Sequence, residues 1–93
     1  MKSKLKVQFP PITIRSYDQL GNAIRRVRKF QNLSQIELAK KAGVTQTTIS
    51  NLERGKTTAE VATLILILSA LNSDMMVVPR PRGENQDSLE GLF

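Results

Sequence analysis

The 93-residue chain is long enough for one compact domain and too short for two ordinary domains. It contains no Cys and no His, which excludes disulfide scaffolds and the commonest metal ligands and removes the usual general base near neutral pH. We therefore expect no enzyme activity, no metal and no cofactor. Lys and Arg outnumber Asp and Glu by fourteen to eight, which gives a net charge of +6.

The positive charge is concentrated in the first part of the chain. Residues 1–56 hold twelve basic and three acidic side chains, a net charge of +9, whereas residues 57–93 have a net charge of −3. A basic half on a small protein indicates a polyanionic partner, most often nucleic acid. The longest apolar run, residues 64–68, is far shorter than the ~18 residues of a membrane-spanning helix. Since no signal-peptide core follows the N-terminal lysines, we expect a cytoplasmic protein that does not contact a membrane.

Residues 1–15 are predicted to form an N-terminal arm. Apolar and polar side chains alternate over residues 5–9, which is the period of two of a strand, until Pro10 and Pro11 interrupt it. The arm is therefore expected to add a short strand.

Capping signals predict a compact all-α domain of four to five helices over residues 16–71. Ser16 is suited to cap the first helix, with Gln19 as its reciprocal partner, and Asn32 suits the left-handed residue that ends it. Apolar side chains at i, i+4 and i+7 give this helix one core-facing stripe. The stripe consists of Leu20, Ile24 and Val27.

Two short helices follow the first. Ser34 and Glu37 have the spacing of a capping box at the start of the second helix, and Gly43 is expected to end it. Thr45 is predicted to cap the third helix and Gly55 to close it.

The fourth helix is predicted to begin near Thr57 or Thr58, with Thr57 and Glu60 as a further capping box, and to end near residue 71. Its predicted core-facing stripe consists of Val61, Leu64, Ile65, Leu68 and Leu71. The apolar residues left on the other side are Leu66, Ile67 and Ala70. A helix that is apolar all round must be buried on both sides, and a small domain has no second core. We therefore expect these three residues to contact a partner chain.

Residues 72–78 are predicted to be a dimerisation segment that contains a short strand ended by Pro79. The strand consists of Met75, Met76, Val77 and Val78. A lone strand leaves its backbone donors and acceptors unpaired, so it needs either the same segment of a second chain or the N-terminal arm. Residues 79–93 are predicted to be a flexible polar tail. Its apolar end consists of Leu89, Leu92 and Phe93.

The second and third helices have the spacing of a helix-turn-helix, in which the second of the pair enters the major groove of DNA. Ala39 is expected where the two helices cross most closely, and Gly43 in the turn between them. The alternative is a plain helical hairpin in a bundle. DNA binding is favoured because the exposed side chains of the third helix are short, polar and uncharged, which suits base edges. These side chains are Thr45, Gln46, Thr47, Ser50 and Asn51.

Residues 16–71 resemble the Cro/C1-type (XRE) helix-turn-helix family, notably in segments 33–39 (LSQIELA) and 48–55 (TISNLERG). The resemblance implies that Gln35 binds a DNA phosphate at the start of the second helix and that Glu53 is a structural partner. It also implies a base-reading set, which is Thr45, Gln46, Thr47 and Ser50. Further phosphate contacts are expected from side chains around this face, which are Arg26, Arg28, Asn51 and Lys56.

The rest of the chain resembles the HipB-type antitoxins, from the aliphatic fourth helix through residues 72–78 to the polar tail with its apolar end. This resemblance implies a homodimer that binds palindromic double-stranded operator DNA and represses its own operon. It also implies a HipA-like serine/threonine kinase toxin as partner, which the tail can contact. The alternative is a stand-alone XRE-type repressor, of the phage or restriction-modification control kind, without a toxin.

Overall fold

The computed structural model describes residues 9–56 and 58–81, and these residues form four helices. Helix α1 spans Tyr17–Phe30, α2 spans Gln35–Ala42, α3 spans Gln46–Glu53 and α4 spans Val61–Ala70. The all-α fold class predicted from the capping signals is confirmed. The described residues contain no strand, so the strand predicted at residues 75–78 is not formed in the single chain. The strand is absent because no other described segment of the chain forms a strand with which residues 75–78 could pair.

The predicted caps fix the starts of the first three helices. The Ser16 hydroxyl accepts a hydrogen bond from the Gln19 backbone N–H at 3.1 Å, and the Thr45 hydroxyl accepts one from Thr48 N–H at 3.1 Å. Gln19 does not complete the reciprocal box as predicted, because its side-chain oxygen accepts from the backbone N–H of Arg15. Each cap satisfies a donor that the first turn of a helix leaves unpaired.

The capping box predicted for α2 is present in full. The Ser34 hydroxyl accepts from Glu37 N–H at 3.0 Å, and the Glu37 carboxylate accepts from Ser34 N–H at 2.7 Å. The hydrogen bond from the Ser34 backbone N–H lowers the pKa of the Glu37 carboxyl, and the Ser34 hydroxyl beside that carboxyl lowers it further. The box fixes the first turn of α2, from which Gln35 projects.

Left-handed residues end the helices where the sequence predicts them. Asn32 after α1 has φ of 59° and Gly43 after α2 has φ of 76°. The chain reverses in the same way after α4, where Asn72 has φ of 53° and Ser73 N–H donates to Leu68 C=O at 2.8 Å. This pairing satisfies carbonyls that would otherwise have no partner at the end of the helix.

Helix α4 differs from its prediction in its start and in its buried face. It begins at Val61, after Glu60 as N-cap with no side-chain hydrogen bond, and Thr57 lies outside the described residues. Its buried side is set by Leu64, Ile67 and Leu71, whereas Val61 and Ile65 are exposed.

The prediction that Ile67 contacts a partner chain is therefore wrong, because its side chain is 0% exposed in the core of its own chain. Leu66 is exposed as predicted, and Ala70 is half-buried. A helix that is apolar on all sides carries no periodic signal that selects one face, so its neighbours decide which side is buried.

The core lies where α1 packs on α3, α3 on α2 and α2 on α4. Aliphatic side chains fill it, as expected for a chain with few aromatic residues. The fully buried ones are Ile24, Leu38, Ile49, Leu52, Ile67 and Leu71. No helix in the described residues is both long and apolar enough to cross a membrane.

Helices α1 and α3 approach so closely that only glycine fits at residue 21. A Cβ added at Gly21 would lie 2.7 Å from the carbonyl oxygen of Glu53 and closer still to that of Leu52. Both obstructing atoms belong to the backbone, so they cannot rotate away as a flexible side chain would. The sequence analysis did not single out Gly21, because a glycine inside a helical pattern carries no sign of what faces it.

Two contacts connect three segments of the chain at one corner of the domain. The rings of Phe9 and Phe30 are in an edge-to-face contact, with centroids 4.3 Å apart and planes at 61°. Next to Phe30, the Gln31 side-chain amide donates a hydrogen bond of 2.7 Å to the C=O of Leu71. The arm before α1, the end of α1 and the end of α4 are thereby connected.

Replacing Gly21 with Ala is expected to destabilise the fold. Alanine raises helix propensity by about 1 kcal/mol relative to glycine in an open position. Overpacking against a backbone costs about 1–3 kcal/mol or more, so we expect a net loss of free energy of unfolding for Gly21→Ala. Urea unfolding checks this, with Asn22→Ala on the exposed side of α1 as the control, which should be neutral or stabilising. A Gly21→Ala protein as stable as Asn22→Ala would contradict the close approach.

Candidate nucleic-acid interface

Helices α2 and α3 form the predicted helix-turn-helix. Ala39 is buried in the core, and Gly43 supplies the left-handed residue of the turn. The inward sides of the two helices are fixed by buried apolar side chains. These are Leu38, Ala42, Ile49 and Leu52. Because these contacts fix α3 against the rest of the domain, its outward side chains are held on a rigid support.

The outward face of α3 is polar, as the sequence predicts. Thr45, Gln46 and Thr47 are exposed, and Ser50 and Asn51 are half-buried. The Thr45 hydroxyl also lies 2.9 Å from the Thr48 hydroxyl, in addition to its hydrogen bond with Thr48 N–H. Its oxygen is thus occupied by the cap of α3.

A buried ion pair joins α1 to α3. Arg28 Nε donates to Glu53 Oε2 at 2.6 Å, and Arg28 Nη2 donates to Glu53 Oε1 at 2.9 Å. The remaining nitrogen, Nη1, donates to the C=O of Leu33 at 2.8 Å. Both side chains are buried, and the hydrogen bonds with Glu53 raise the pKa of Arg28. Two parallel hydrogen bonds between a guanidinium and a carboxylate fix both groups in position and orientation.

The prediction that Arg28 binds a DNA phosphate is therefore wrong. Its residue surface is only 7% exposed, and its three guanidinium nitrogens are all engaged within the protein. The sequence contained a sign of this, because Arg28 lies four residues after the buried Ile24 and so shares its side of the helix. By contrast, Arg26 is exposed on α1, and the structural role implied for Glu53 agrees with the ion pair.

A chain of hydrogen bonds runs from the ion pair to the outward face of α3. Gln35 Nε2 donates to Glu53 Oε1 at 3.0 Å, and Gln46 Nε2 donates to Gln35 Oε1 at 3.3 Å. A carboxylate can only accept hydrogen bonds, so Gln35 must present its nitrogen to Glu53 and its oxygen to Gln46. The direction of every bond follows from the charge at Glu53. The exposed Gln46 keeps its side-chain oxygen and one side-chain N–H outside this chain of bonds.

The other predicted phosphate contacts lie at the far end of α3 and beyond it. Asn51 Oδ1 accepts a hydrogen bond of 2.8 Å from Arg54 Nη2, which leaves the Asn51 amide nitrogen as a donor. Lys56 is exposed just after the turn at Gly55. The structure thus brings Gln35 and Gln46 together, and it places Asn51 beside Arg54. In the described part of the chain, no group of three or more His, Cys, Asp or Glu side chains is arranged to hold a metal ion.

The family model HTH_3 (helix-turn-helix) matches residues 24–77, which is more than half of the chain. The chain belongs to the helix-turn-helix family. Over 81 residues this helix-turn-helix protein is 37% identical to antitoxin HipB of Escherichia coli (strain K12), a match that covers 83% of this chain and 92% of HipB. The XRE-type resemblance seen in segments 33–39 and 48–55 is thereby confirmed.

Two further similarities bear on its function. One chain of the solved HipA-HipB-O2-O3 complex has a TM-score of 0.68 to this helix-turn-helix protein at 38% identity, covering 74% of this chain and 97% of that chain. Control protein C.SmaI of Serratia marcescens is 36% identical over 56 residues, which is 60% of this chain and 67% of that protein. The relatives therefore include both an antitoxin and a control protein.

Breaking the buried ion pair is expected to cost far more than removing an exposed arginine of the same helix. Arg28→Met leaves the Glu53 carboxylate buried without its charged partner, for which we expect a loss of about 3–5 kcal/mol in free energy of unfolding. Arg26→Met should change it by no more than about 0.5 kcal/mol. Urea unfolding of the two variants provides the comparison.

The double variant Arg28→Met/Glu53→Leu shows how much of the stability lost in Arg28→Met is due to the unpaired Glu53 charge and how much is due to lost packing. Since it removes both charges together, it should recover a large part of the stability that Arg28→Met loses. Equal and small effects of Arg28→Met and Arg26→Met would show that the ion pair does not support the fold.

Proposed function

We propose that this chain is a sequence-specific, DNA-binding transcriptional repressor that acts as a dimer on a two-fold symmetric operator. The observation that carries the proposal is the polar face of α3, in which Gln46 is oriented by bonds that originate at the buried Glu53. A short, uncharged and rigidly held polar face suits hydrogen bonding to base edges. The net charge of +9 over residues 1–56 suits the phosphate backbone.

Gln46 is proposed to read adenine. Its outward oxygen and single outward N–H match the N6 donor and the N7 acceptor that adenine shows in the major groove. Guanine offers two acceptors there, and Gln46 has only one N–H left because Gln35 accepts the other. Thr45 and Thr47 carry methyl groups suited to thymine, and Ser50 carries a hydroxyl that can pair with several bases.

Phosphate binding is proposed for Gln35, Arg26, Asn51 and Lys56. Gln35 gives one N–H to Glu53 and keeps the second for a phosphate at the start of α2. Asn51 has its amide nitrogen available, since only its oxygen is engaged by Arg54. Arg26 and Lys56 are exposed and cationic. Such contacts position the protein on DNA without reading its sequence.

Gln46→Ala is expected to reduce specific binding by about 1–3 kcal/mol and to relax the preference at one base pair in each half-site. Removing one bidentate contact affects only the base that it reads. Titration of cognate and scrambled DNA by fluorescence anisotropy measures the two affinities separately.

Arg26→Ala is the control for this titration. It should weaken binding to both DNAs alike and flatten the salt dependence, because a lost phosphate contact releases one fewer counterion. If Gln46→Ala weakened cognate and scrambled DNA equally, Gln46 would not belong to the base-reading set.

The proposed dimer interface combines the exposed side of α4 with residues 75–78. Val61, Ile65 and Leu66 are large apolar side chains that are about half or more exposed. The half-buried Ala70 lies on the same helix, and the segment of Met75, Met76, Val77 and Val78 extends the apolar surface. A two-fold dimer would place the recognition helices roughly one DNA turn apart, ~34 Å, as a palindromic operator requires.

Leu66→Lys is expected to weaken dimerisation and operator binding together, since it places a charge in the proposed apolar interface. Ile36→Lys is a matched control for self-association, because Ile36 on α2 is 50% exposed and Leu66 is 51% exposed. Sedimentation equilibrium of both variants measures the dimer constant. A Leu66→Lys dimer as stable as that of Ile36→Lys would exclude this face of α4 from the interface.

We further propose that the protein is the antitoxin of a HipA-like kinase toxin and represses their shared operon. The similarity to antitoxin HipB over 83% of this chain supports this role, as does the similarity to a chain of a HipA-HipB complex. A stand-alone repressor is the second candidate, and the similarity to control protein C.SmaI favours it. A kinase-like reading frame beside this gene, and a complex of the two purified products, would decide for the antitoxin.

The tail is proposed to contact the kinase through Leu89, Leu92 and Phe93, which lie outside the described residues. Deleting residues 89–93 should leave dimerisation and operator binding unchanged, because the groups proposed for both lie elsewhere in the chain. The same deletion should weaken association with the neighbouring kinase. Calorimetry of the full-length and shortened proteins measures this, and an unchanged affinity would remove the tail from the interface.

A further inference from the structure

Glu53 is a buried acidic side chain that is not among the proposed DNA contacts. Its residue surface is 8% exposed, and its carboxylate accepts two hydrogen bonds from Arg28 and a third from Gln35. The bonds with Arg28 stay within the core. The third bond leads towards the surface, because Gln35 is half-buried and its own partner, Gln46, is exposed. One carboxylate therefore contacts both the core and the first member of a surface network.

The side-chain amide of Gln35 can present either of two different groups to Glu53. Its NH2 group only donates hydrogen bonds and its oxygen only accepts them, and a half-turn about the terminal bond exchanges the two with little change in shape. Only the nitrogen can bond to an ionised carboxylate, as it does here at 3.0 Å. The reverse orientation would bring two acceptors together, which is costly beside a buried charge. The charge of Glu53 therefore selects one orientation of Gln35.

The orientation of Gln35 in turn decides which groups of Gln46 remain for a base. Gln35 Oε1 accepts from Gln46 Nε2 at 3.3 Å, so Gln46 keeps one N–H and its oxygen. One donor and one acceptor complement the N7 and N6 groups of adenine. If Gln35 were reversed, it would donate to the Gln46 oxygen and leave both Gln46 N–H groups. Two donors complement the O6 and N7 acceptors of guanine.

We propose that Glu53 is a positioning residue whose charge sets the preference of Gln46 for adenine over guanine. The inference rests on the proposed function, because it assigns the origin of base preference to a residue behind the proposed base-reading set. The carboxylate then has two separable roles. Its bonds with Arg28 stabilise the fold, and its bond with Gln35 determines which purine Gln46 accepts. Without the charge, Gln35 is free to turn and both purines become acceptable.

Two changes in the ion pair separate base preference from stability. Arg28→Met/Glu53→Leu removes both charges, so Gln35 no longer faces a carboxylate. Arg28→Lys keeps the charge of Glu53 and a cationic partner, but it loses the two parallel hydrogen bonds of the guanidinium. Both variants disturb the core, whereas only the double variant changes the group that orients Gln35.

A third variant, Gln35→Met, interrupts the network and leaves the ion pair intact. It tests the same route even if the double variant does not fold. Gln35 is also a proposed phosphate contact, so this change should weaken binding to every DNA. The ratio of two affinities cancels that common loss, because a phosphate contact does not depend on the base.

Fluorescence anisotropy with paired duplexes measures the purine preference. The reference duplex is selected from a random-sequence pool with the native protein, and each adenine–thymine pair is changed in turn to guanine–cytosine. The position whose preference is lost in Gln46→Ala is the pair that Gln46 reads. There the ratio of adenine to guanine affinity should fall about fivefold or more in Arg28→Met/Glu53→Leu and in Gln35→Met. It should be unchanged in Arg28→Lys. In the double variant the guanine duplex should bind more tightly, which a weakened fold cannot produce.

Nuclear magnetic resonance of the free protein follows the Gln35 amide without DNA. In the native protein one side-chain N–H of Gln35 is bonded to a carboxylate, so its two amide proton signals should be separated more widely than those of an exposed glutamine. This extra separation should disappear in Arg28→Met/Glu53→Leu and remain in Arg28→Lys.

Several results would overturn the proposal. A native adenine preference in the double variant or in Gln35→Met would show that the charge of Glu53 does not reach Gln46. Loss of the preference in Arg28→Lys as well would assign the effect to packing around the ion pair. Gln35 amide signals that ignore the change at residue 53 would show that this bond is not made in solution.

The same titrations distinguish a failure of this inference from a failure of the proposed function. A native protein that prefers no duplex over another would contradict sequence-specific binding itself, and the role of Glu53 with it. A native preference that is lost in Gln46→Ala but kept in Arg28→Met/Glu53→Leu would contradict only the role of Glu53.

Discussion

The buried ion pair of Arg28 and Glu53 is the interaction on which the arrangement of the interface depends. It joins the last turn of α1 to the last residue of α3, and through Gln35 it also reaches the first residue of α2. Burying two charges is costly unless hydrogen bonds satisfy both groups. Here the guanidinium donates three hydrogen bonds, and the carboxylate accepts from Arg28 and Gln35. The three helices are thereby held in one geometry.

Close packing of α1 on α3 places this pair. Gly21 lets the α1 backbone approach the carbonyls of Leu52 and Glu53, and two turns later Arg28 reaches the Glu53 side chain. A larger residue at position 21 would separate the helices at the level of Glu53. The charge of Glu53 then determines the direction of the hydrogen bonds from Gln35 and Gln46. A packing constraint in the core is in this way transmitted to the orientation of a side-chain amide on the surface.

Local signals in the sequence predicted the starts of the first three helices and the left-handed residues after α1 and α2, because a cap is a contact between residues that are close in the chain. The Ser34–Glu37 box and the left-handed Asn32 are of this kind. Two local predictions failed, the reciprocal bond of Gln19 and the start of α4, and the other errors concern contacts between distant residues. An arginine is usually exposed, and Arg28 is buried because it pairs with Glu53, which lies 25 residues away in the chain. Ile65 and Ile67 are the same residue type on the same helix, so the sequence does not distinguish them. The packing of the neighbouring helices determines that Ile67 is the buried one. The close approach at Gly21 was also not predicted, because it joins residues that are far apart in the chain.

The surface proposed to contact DNA and the apolar surface proposed to form the dimer are built from different elements. The side chains proposed to contact DNA belong to α1, α2, α3 and the turn after α3, whereas the exposed apolar side chains of α4 and residues 75–78 belong to the second part of the chain. The apolar surface nevertheless affects DNA affinity, because a dimer built on it would hold two copies of α3 at a fixed distance. One recognition helix contacts few base pairs, and linking two of them makes the second binding event intramolecular, which raises affinity without any new contact. In the proposed dimer, changes in the α4 surface would therefore alter operator affinity even though no α4 side chain is proposed to touch DNA.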